Sequence, residues 1–336
     1  MDFDGKFDRR EPNYAPTQKQ MFAALEAVGV SCVKRLAPLS GGFRNTSYRV
    51  SASDAPDRVL RICGGSERDF EAEISILDHL GEIAPVPTVE AFQINNADLG
   101  RHFAVLGFLP GRLLCAVEDQ MSPSEIEEIG SDIGRCLAKI HAVKFGRSGF
   151  FGKGLEVIEP FSSFYDGYCG YMQKCLSNPL LKDRLGKNVF DNLTAFISDN
   201  LAGIRSLKNT TFLTHSDFNQ KNLLVSRDTG TWKLTGFLDW EFAFSGSPLV
   251  DFGNFFRYRG EMDPHYRTPL TTSYRESGGD LPENWEAAAR FLDLLSMMMF
   301  LTREGDFPKT FETARSVVIS TLQKDHGHLP SGKAQN

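Results

Sequence analysis

The stretch that decides the fold is His215–Val225, HSDFNQKNLLV, followed eleven residues later by Gly236–Phe252, GFLDWEFAFSGSPLVDF. Asp217 and Asn222 bracket a short polar loop just before the apolar strand Leu223-Leu224-Val225. Residues 227–230, RDTG, have turn chemistry, and a second apolar run ends at Asp239, seventeen residues past Asn222. A hairpin of that length returns Asp239 to the neighbourhood of Asn222. Two oxygen ligands then lie together, with a second carboxylate, Asp217, beside them. Magnesium takes hard oxygen ligands, commonly one or two carboxylates plus phosphates and waters. Phosphoryl transfer needs the metal and one more acid to orient the attacking hydroxyl. Asp and Asn are also ordinary turn formers, so it is the joint pattern of loop, strand, turn, strand and acid that carries the reading.

Working outward, residues 1–16 read as a polar arm, and Thr17 caps a short helix with Met21, Phe22, Leu25 and Val28 on one face. Short strands follow: VKRLAPL (33–39), TSYRVSA (46–52) and RVLRI (58–62). A helix over 67–80 turns Phe70, Ile74, Leu77 and Leu80 inward, and strands PTVEAFQI and HFAVLGFL flank the turn NNADL. Beyond Pro110-Gly111 the pattern is mainly helical. Ile126, Ile129, Ile133, Leu137 and Ile140 mark one long helix, and helical periodicity recurs near 161–177, 187–207, 283–302 and 309–323. The expected fold class is α+β. A β-rich lobe (1–110) would join a helical lobe (111–336), with a ligand cleft at the junction.

The 336 residues carry 37 basic and 43 acidic side chains, a formal charge of −6, which disfavours a nucleic-acid partner. The polar start, MDFDGKFDRREPN, has no apolar signal segment, and the longest apolar run, Leu294–Leu301, is too short to span a bilayer. The six cysteines include no C-x-x-C pair and read as reduced, mostly core thiols. The expected protein is soluble and cytoplasmic, without a membrane partner.

HSDFNQKNLLV with GFLDWEFAFSGSPLVDF resembles the paired signature of the aminoglycoside phosphotransferase and choline-kinase-like family. The resemblance runs from about 33 to about 325 and is sharp at 213–256. It implies a bilobal, protein-kinase-like fold and transfer of phosphate from ATP, with Mg²⁺, to a small-molecule hydroxyl. By it Asp217 is the catalytic aspartate, Asn222 and Asp239 hold magnesium, and His215 braces the loop. It makes Asp251, despite the D-F-G spelling of Asp251-Phe252-Gly253, a structural carboxylate beneath the catalytic loop. Three positions depart from the common form: Ser216 stands where Gly is usual, Asn219 where His is frequent, and Ser247 where Asp often precedes Pro248.

Ser40-Gly41-Gly42-Phe43-Arg44-Asn45 lies between two strands, where a glycine-rich loop would cover phosphates with bare backbone N–H groups. Arg61 occupies the place of the family's usual phosphate-binding lysine, and Glu73, with Glu71 as the rival, resembles the glutamate that pairs with that cation. Gly107 and Leu109 fall on the segment resembling the hinge that meets adenine. His141 reads as a helix-packed imidazole and Met297-Met298-Met299-Phe300 as helix core. The preferred function is an ATP-dependent small-molecule O-kinase acting on an aminoglycoside, an amino alcohol or a sugar. The alternatives are a protein kinase, disfavoured by the absence of an A-P-E-like segment, and a nucleotide-binding module without turnover. From Phe252 to Asn336 there are 11 acidic and 10 basic residues, so this tail is not notably acidic.

Overall fold

A computed structural model of the chain describes Asp8 and residues 14–39, 44–53, 55–227, 230–258 and 264–324. Helix α1 (Gln18–Ala27) opens with a capping box: the Thr17 hydroxyl accepts from the Gln20 N–H while the Gln20 side chain accepts from Thr17. Met21, Ala24 and Leu25 are buried, but Phe22 is 38% exposed, so the inward stripe is narrower than its apolar residues suggest. Strands β1 (Val33–Leu39), β2 (Thr46–Ala52) and β3 (Arg58–Ile62) have the bounds expected from sequence. So does helix α2 (Glu67–Leu80), where Ser66 caps Asp69 and two acids occupy the first turn.

Strands β4 (Val89–Asn96) and β5 (Arg101–Gly107) complete an antiparallel sheet in the order β1-β2-β3-β5-β4. The turn between them is shorter than NNADL implies, because Asn95 and Asn96 belong to the strand. Side chains of β5 alternate with the two-residue strand period. Phe103 and Val105 join Met21 and Leu25 under α1, whereas Ala104 and Leu106 join Phe70, Ile74 and Leu77 in the larger core that continues into the helices. One face of the sheet is thereby joined through α2 to the rest of the molecule.

After the short strand β6 (Arg112–Leu113), helix α3 (Pro123–His141) starts with a Ser122/Glu125 capping box and Pro123 at its first position. Strands β7 (Gly149–Phe151) and β8 (Val157–Pro160) precede helices α4 (Phe164–Leu176), α5 (Pro179–Leu185) and α6 (Lys187–Asn200). The last α-helix is shorter than the expected 187–207, since residues 201–207 tighten into 3-10 turns. Strand β9 (Phe212–Thr214) leads into the 215–222 loop, and β10 (Leu223–Ser226) pairs with β11 (Lys233–Phe237). Strand β12 (Phe244–Gly246) runs between β7 and β9.

Helices α7 (Leu249–Phe256), α8 (Pro264–Glu276), α9 (Trp285–Leu301) and α10 (Pro308–Lys324) complete the order. Helices α5, α7 and α8 and strands β6, β7, β8 and β12 were not expected from sequence. The packing of α3 against α8 is close because Gly134 lacks a Cβ: one there would lie 2.3 Å from the Leu270 carbonyl oxygen. Met297 and Met298 are core, as read, but Met299 is 51% exposed. All six cysteines are free, yet only Cys63 and Cys175 are buried, which corrects the expectation of mostly core thiols. No helix among the described residues is long and apolar enough to cross a membrane.

Candidate active site

Strands β10 and β11 pair antiparallel, with Asp228 and Thr229 of the expected turn outside the described residues: Leu223 faces Phe237, and the Leu238 N–H donates to the Asn222 carbonyl at 2.8 Å. Asp239 therefore follows directly beside Asn222. Its backbone is left-handed (φ +66°), which aspartate tolerates better than most residues.

Asp217 is held from two sides by amides. Asn222 Nδ2 donates to its carbonyl (2.8 Å) and to Oδ2 (3.0 Å), and Asn219 Nδ2 donates to the same carbonyl (2.9 Å) and to Oδ1 (3.0 Å). Both carboxylate oxygens are thus oriented. Burial, and then the charge of Asp239, push the Asp217 carboxyl up to about 6, against the pull of Arg257 and the Asn222 hydrogen bond.

His215 is buried against Trp240, with ring centroids 4.4 Å apart. Its Nε2 bonds the Leu238 carbonyl (2.9 Å) and its Nδ1 accepts from the Asp217 N–H (3.3 Å), a pairing that fixes the proton on Nε2. The imidazole is spent on tying the loop to the hairpin. Asp251, fully buried at the start of α7, accepts from the N–H groups of His215 (2.8 Å) and Ser216 (2.7 Å) and meets His141 Nε2 (3.0 Å), whose Nδ1 pairs with the Tyr274 hydroxyl (3.0 Å). Every oxygen of Asp251 faces the loop's underside.

Across the cleft, Arg61 Nη2 reaches Glu73 Oε1 (2.8 Å) and Asp239 Oδ1 (2.7 Å). Burial works against this guanidinium, but the carboxylates of Glu73, Asp239 and Glu241 outweigh it and hold Arg61 above its ordinary value. Burial raises the Glu73 carboxyl despite Arg61, and Glu73 also accepts the Trp240 N–H. The rival Glu71 points outward to Lys153 (3.4 Å). Gly107 donates its N–H to the Thr88 carbonyl (2.9 Å), and the Leu109 side chain packs over Gly236 of the hairpin. Ser40, Gly41 and Gly42 lie outside the described residues.

Three further residues belong to this cluster and were not singled out from sequence. Glu241 accepts from Arg44 Nη1 (3.4 Å) and Asn45 Nδ2 (3.3 Å), and Arg44 also meets Asp69 (3.3 Å). Burial, and then the charge of Asp239, push the Glu241 carboxyl up to about 8. The only signal for it was an acid two positions after Asp239, and Arg44 and Asn45 gave none beyond their place in the loop. Among the described residues Arg44 Nε and Arg61 Nε are buried N–H donors that meet no acceptor, as a site for a polyanion would have. The Asn222 amide oxygen and the Asp239 carboxylate are hard donors suited to magnesium. Among the described residues no three His, Cys, Asp or Glu side chains cluster as a self-sufficient metal site, and a magnesium completed by phosphates and water does not need one.

A sequence model described as the phosphotransferase enzyme family matches residues 35–291. No curated protein matches the sequence. Solved structures share the fold at low identity. A thermostable mutant of the aminoglycoside phosphotransferase APH(4)-Ia, in complex with AMP-PNP and hygromycin B, is 17% identical with a TM-score of 0.65, over 92% of this chain and 99% of that one. The gentamicin complex of APH(2")-IIa is 14% identical with a TM-score of 0.65, over 92% and 99%. A Thermobifida fusca protein described provisionally as a fructosamine-3-kinase is 18% identical with a TM-score of 0.57, over 90% and 98%.

Proposed function

Because the chain belongs to the phosphotransferase enzyme family, we propose that it is an ATP-dependent kinase for a hydroxyl group of a small molecule. The observation that carries this reading is the Asp217 carboxylate, oriented by Asn219 and Asn222, next to Asp239 and facing the Arg61–Glu73 pair. In this reading residues 1–110 form the nucleotide-binding lobe and 111–336 the catalytic and substrate lobe. The separate cluster of Met21, Leu60 and Phe103 beneath α1 supports that division.

Asp217 accepts a hydrogen bond from the acceptor hydroxyl, aims its oxygen at the γ-phosphorus, and takes the proton as the new P–O bond forms. The bond from γ-phosphorus to the β–γ bridging oxygen breaks, and ADP leaves with that electron pair. The raised carboxyl of Asp217 suits proton acceptance near neutral pH. Arg61, held by Glu73, turns from Asp239 toward the phosphate oxygens, and Arg44 supplies a second cation from the loop that Ser40, Gly41 and Gly42 share. Gly107 and Leu109 border the base. Asn222 and Asp239 would hold Mg²⁺, which when bound neutralises charge on the β- and γ-phosphates. Most of the rate gain comes from positioning and electrostatics.

Residues 240–248 run from Asp239 through β12 straight into α7, leaving no room for the long peptide-docking segment of a protein kinase. The oriented Asp217 favours turnover over a silent nucleotide-binding role. An ATP-consumption screen over sugars, amino alcohols and aminoglycosides, with products identified by mass spectrometry, tests the reading. It predicts one class of acceptor gaining a single phosphate. Nucleotide binding without any phosphorylated small molecule across the panel would return the silent module.

A further inference from the structure

Residues of α7, α9 and α10, with Arg267 of α8, line a half-open cavity of about 830 Å³. That is within the range of about 300–1,000 Å³ usual for small-molecule sites. Its position follows from α7. The helix starts with Asp251 under the loop, and Gln220 Nε2 of the loop reaches the Phe255 carbonyl at 3.2 Å. The next two residues, Phe256 and Arg257, already line the cavity.

The wall is apolar and charge-balanced. Phe252, Phe256 and Trp285 supply aromatic surface, and Ser316, Ser320 and Thr321 of α10 supply hydroxyls. Among the described lining residues three arginines stand against three acids, and two of those acids are already taken. Asp293 receives Arg257 Nε on both oxygens (3.0 and 2.9 Å) and Nη2 at 2.7 Å, a pair with both side chains about 5% exposed, and it also accepts from Asn254 (2.9 Å). Glu286 is shared between Arg267 and Arg290. Among the lining acids only Glu312 could meet an ammonium group without a cost; a ligand bearing several would have to break the buried Arg257–Asp293 pair or face Arg267 and Arg290. A neutral ring compound would lose nothing of these pairs and would find aromatic faces and hydroxyls.

We propose that this cavity receives the acceptor and selects uncharged hydroxylated ring compounds, of the sugar or aryl-glycoside class, over polycations; the proposal rests on the kinase reading. The full chain saturated with Mg²⁺ and AMP-PNP is titrated calorimetrically with phenyl β-D-glucoside and with gentamicin. The glycoside binds at least tenfold more tightly in the wild type. Arg290→Glu, which makes the wall acidic, raises gentamicin affinity at least tenfold. Ala289→Trp fills the cavity and abolishes glycoside binding; Ser316→Trp does the same from α10 should the first variant not fold, with AMP-PNP titration as the check on folding. Gentamicin binding as tightly as the glycoside to the wild type, or no glycoside heat while AMP-PNP binds, overturns the proposal and leaves the kinase reading standing. Failure of AMP-PNP itself to bind removes the kinase reading and this inference with it.

Discussion

Ser216 shows what single residues in this loop contend with. Its backbone is left-handed (φ +68°), a conformation in which the Cβ of an L-residue costs roughly 1–2 kcal/mol. The sequence showed only that serine stands where relatives usually carry glycine; the torsion angle supplies the reason. Ser216→Gly keeps the N–H that donates to Asp251 and relieves the strain, offset by the roughly 0.5–1 kcal/mol of extra freedom glycine has when unfolded. A net gain of about 0.5–1 kcal/mol in urea denaturation is expected, and a loss would mean that the hydroxyl holds something the backbone does not. Asp217, Asn222 and Asp239 were legible because polar residues at fixed spacing around a hairpin leave few arrangements. Glu241 and Arg44 were not, since an acid and a base about two hundred positions apart meet only once the sheet and hairpin face one another.

Elements differ in how openly their sequences declare them. Helix α2 has a serine cap, acids in its first turn and a single apolar stripe, and its bounds could be read directly. Helix α7 is buried all round and only eight residues long, about two turns, too short a stretch to declare a helical period, and the interior Pro269 disguised α8. Strand β3 and α2 act together through Arg61 and Glu73. Arg61→Ala should weaken ATP more than AMP in equilibrium binding, and Arg61→Lys should recover only part of the loss because the bidentate fork is gone. Equal weakening of the two nucleotides would place Arg61 away from the outer phosphates. The hairpin leads into Asp239 and α7 begins around Asp251, and the proposal gives the two aspartates different roles. Asp239→Ala should fold normally while Mg²⁺ no longer tightens ATP binding. Asp251→Ala leaves the His215 and Ser216 N–H groups without their acceptor, so it should lower the melting temperature, at about 1–3 kcal/mol per orphaned donor, and keep the metal coupling. The reverse pattern in metal titrations and thermal melts would exchange the two assignments.

At the scale of the whole molecule, the proposed arrangement puts the nucleotide against the five-stranded sheet and the acceptor among α7, α9 and α10. The α+β division was legible because period-two and period-3.6 patterns segregate along the chain. The proposed acceptor pocket was not, because its wall comes from helices separated by tens of residues and from ion pairs that composition reports only as a near-balanced tail. In the proposed reaction this cleft moves the terminal phosphate of ATP to a small-molecule hydroxyl aimed by Asp217. Its most direct test is a single turnover with γ-³²P-labelled ATP, Mg²⁺ and a pooled set of hydroxyl metabolites, run with the wild type and Asp217→Asn. The account predicts label on an organic small molecule in the wild type and a rate about 10²–10⁴-fold lower in the variant, with nucleotide binding retained. Label appearing only as inorganic phosphate or on protein, or equal transfer by the two proteins, would contradict it.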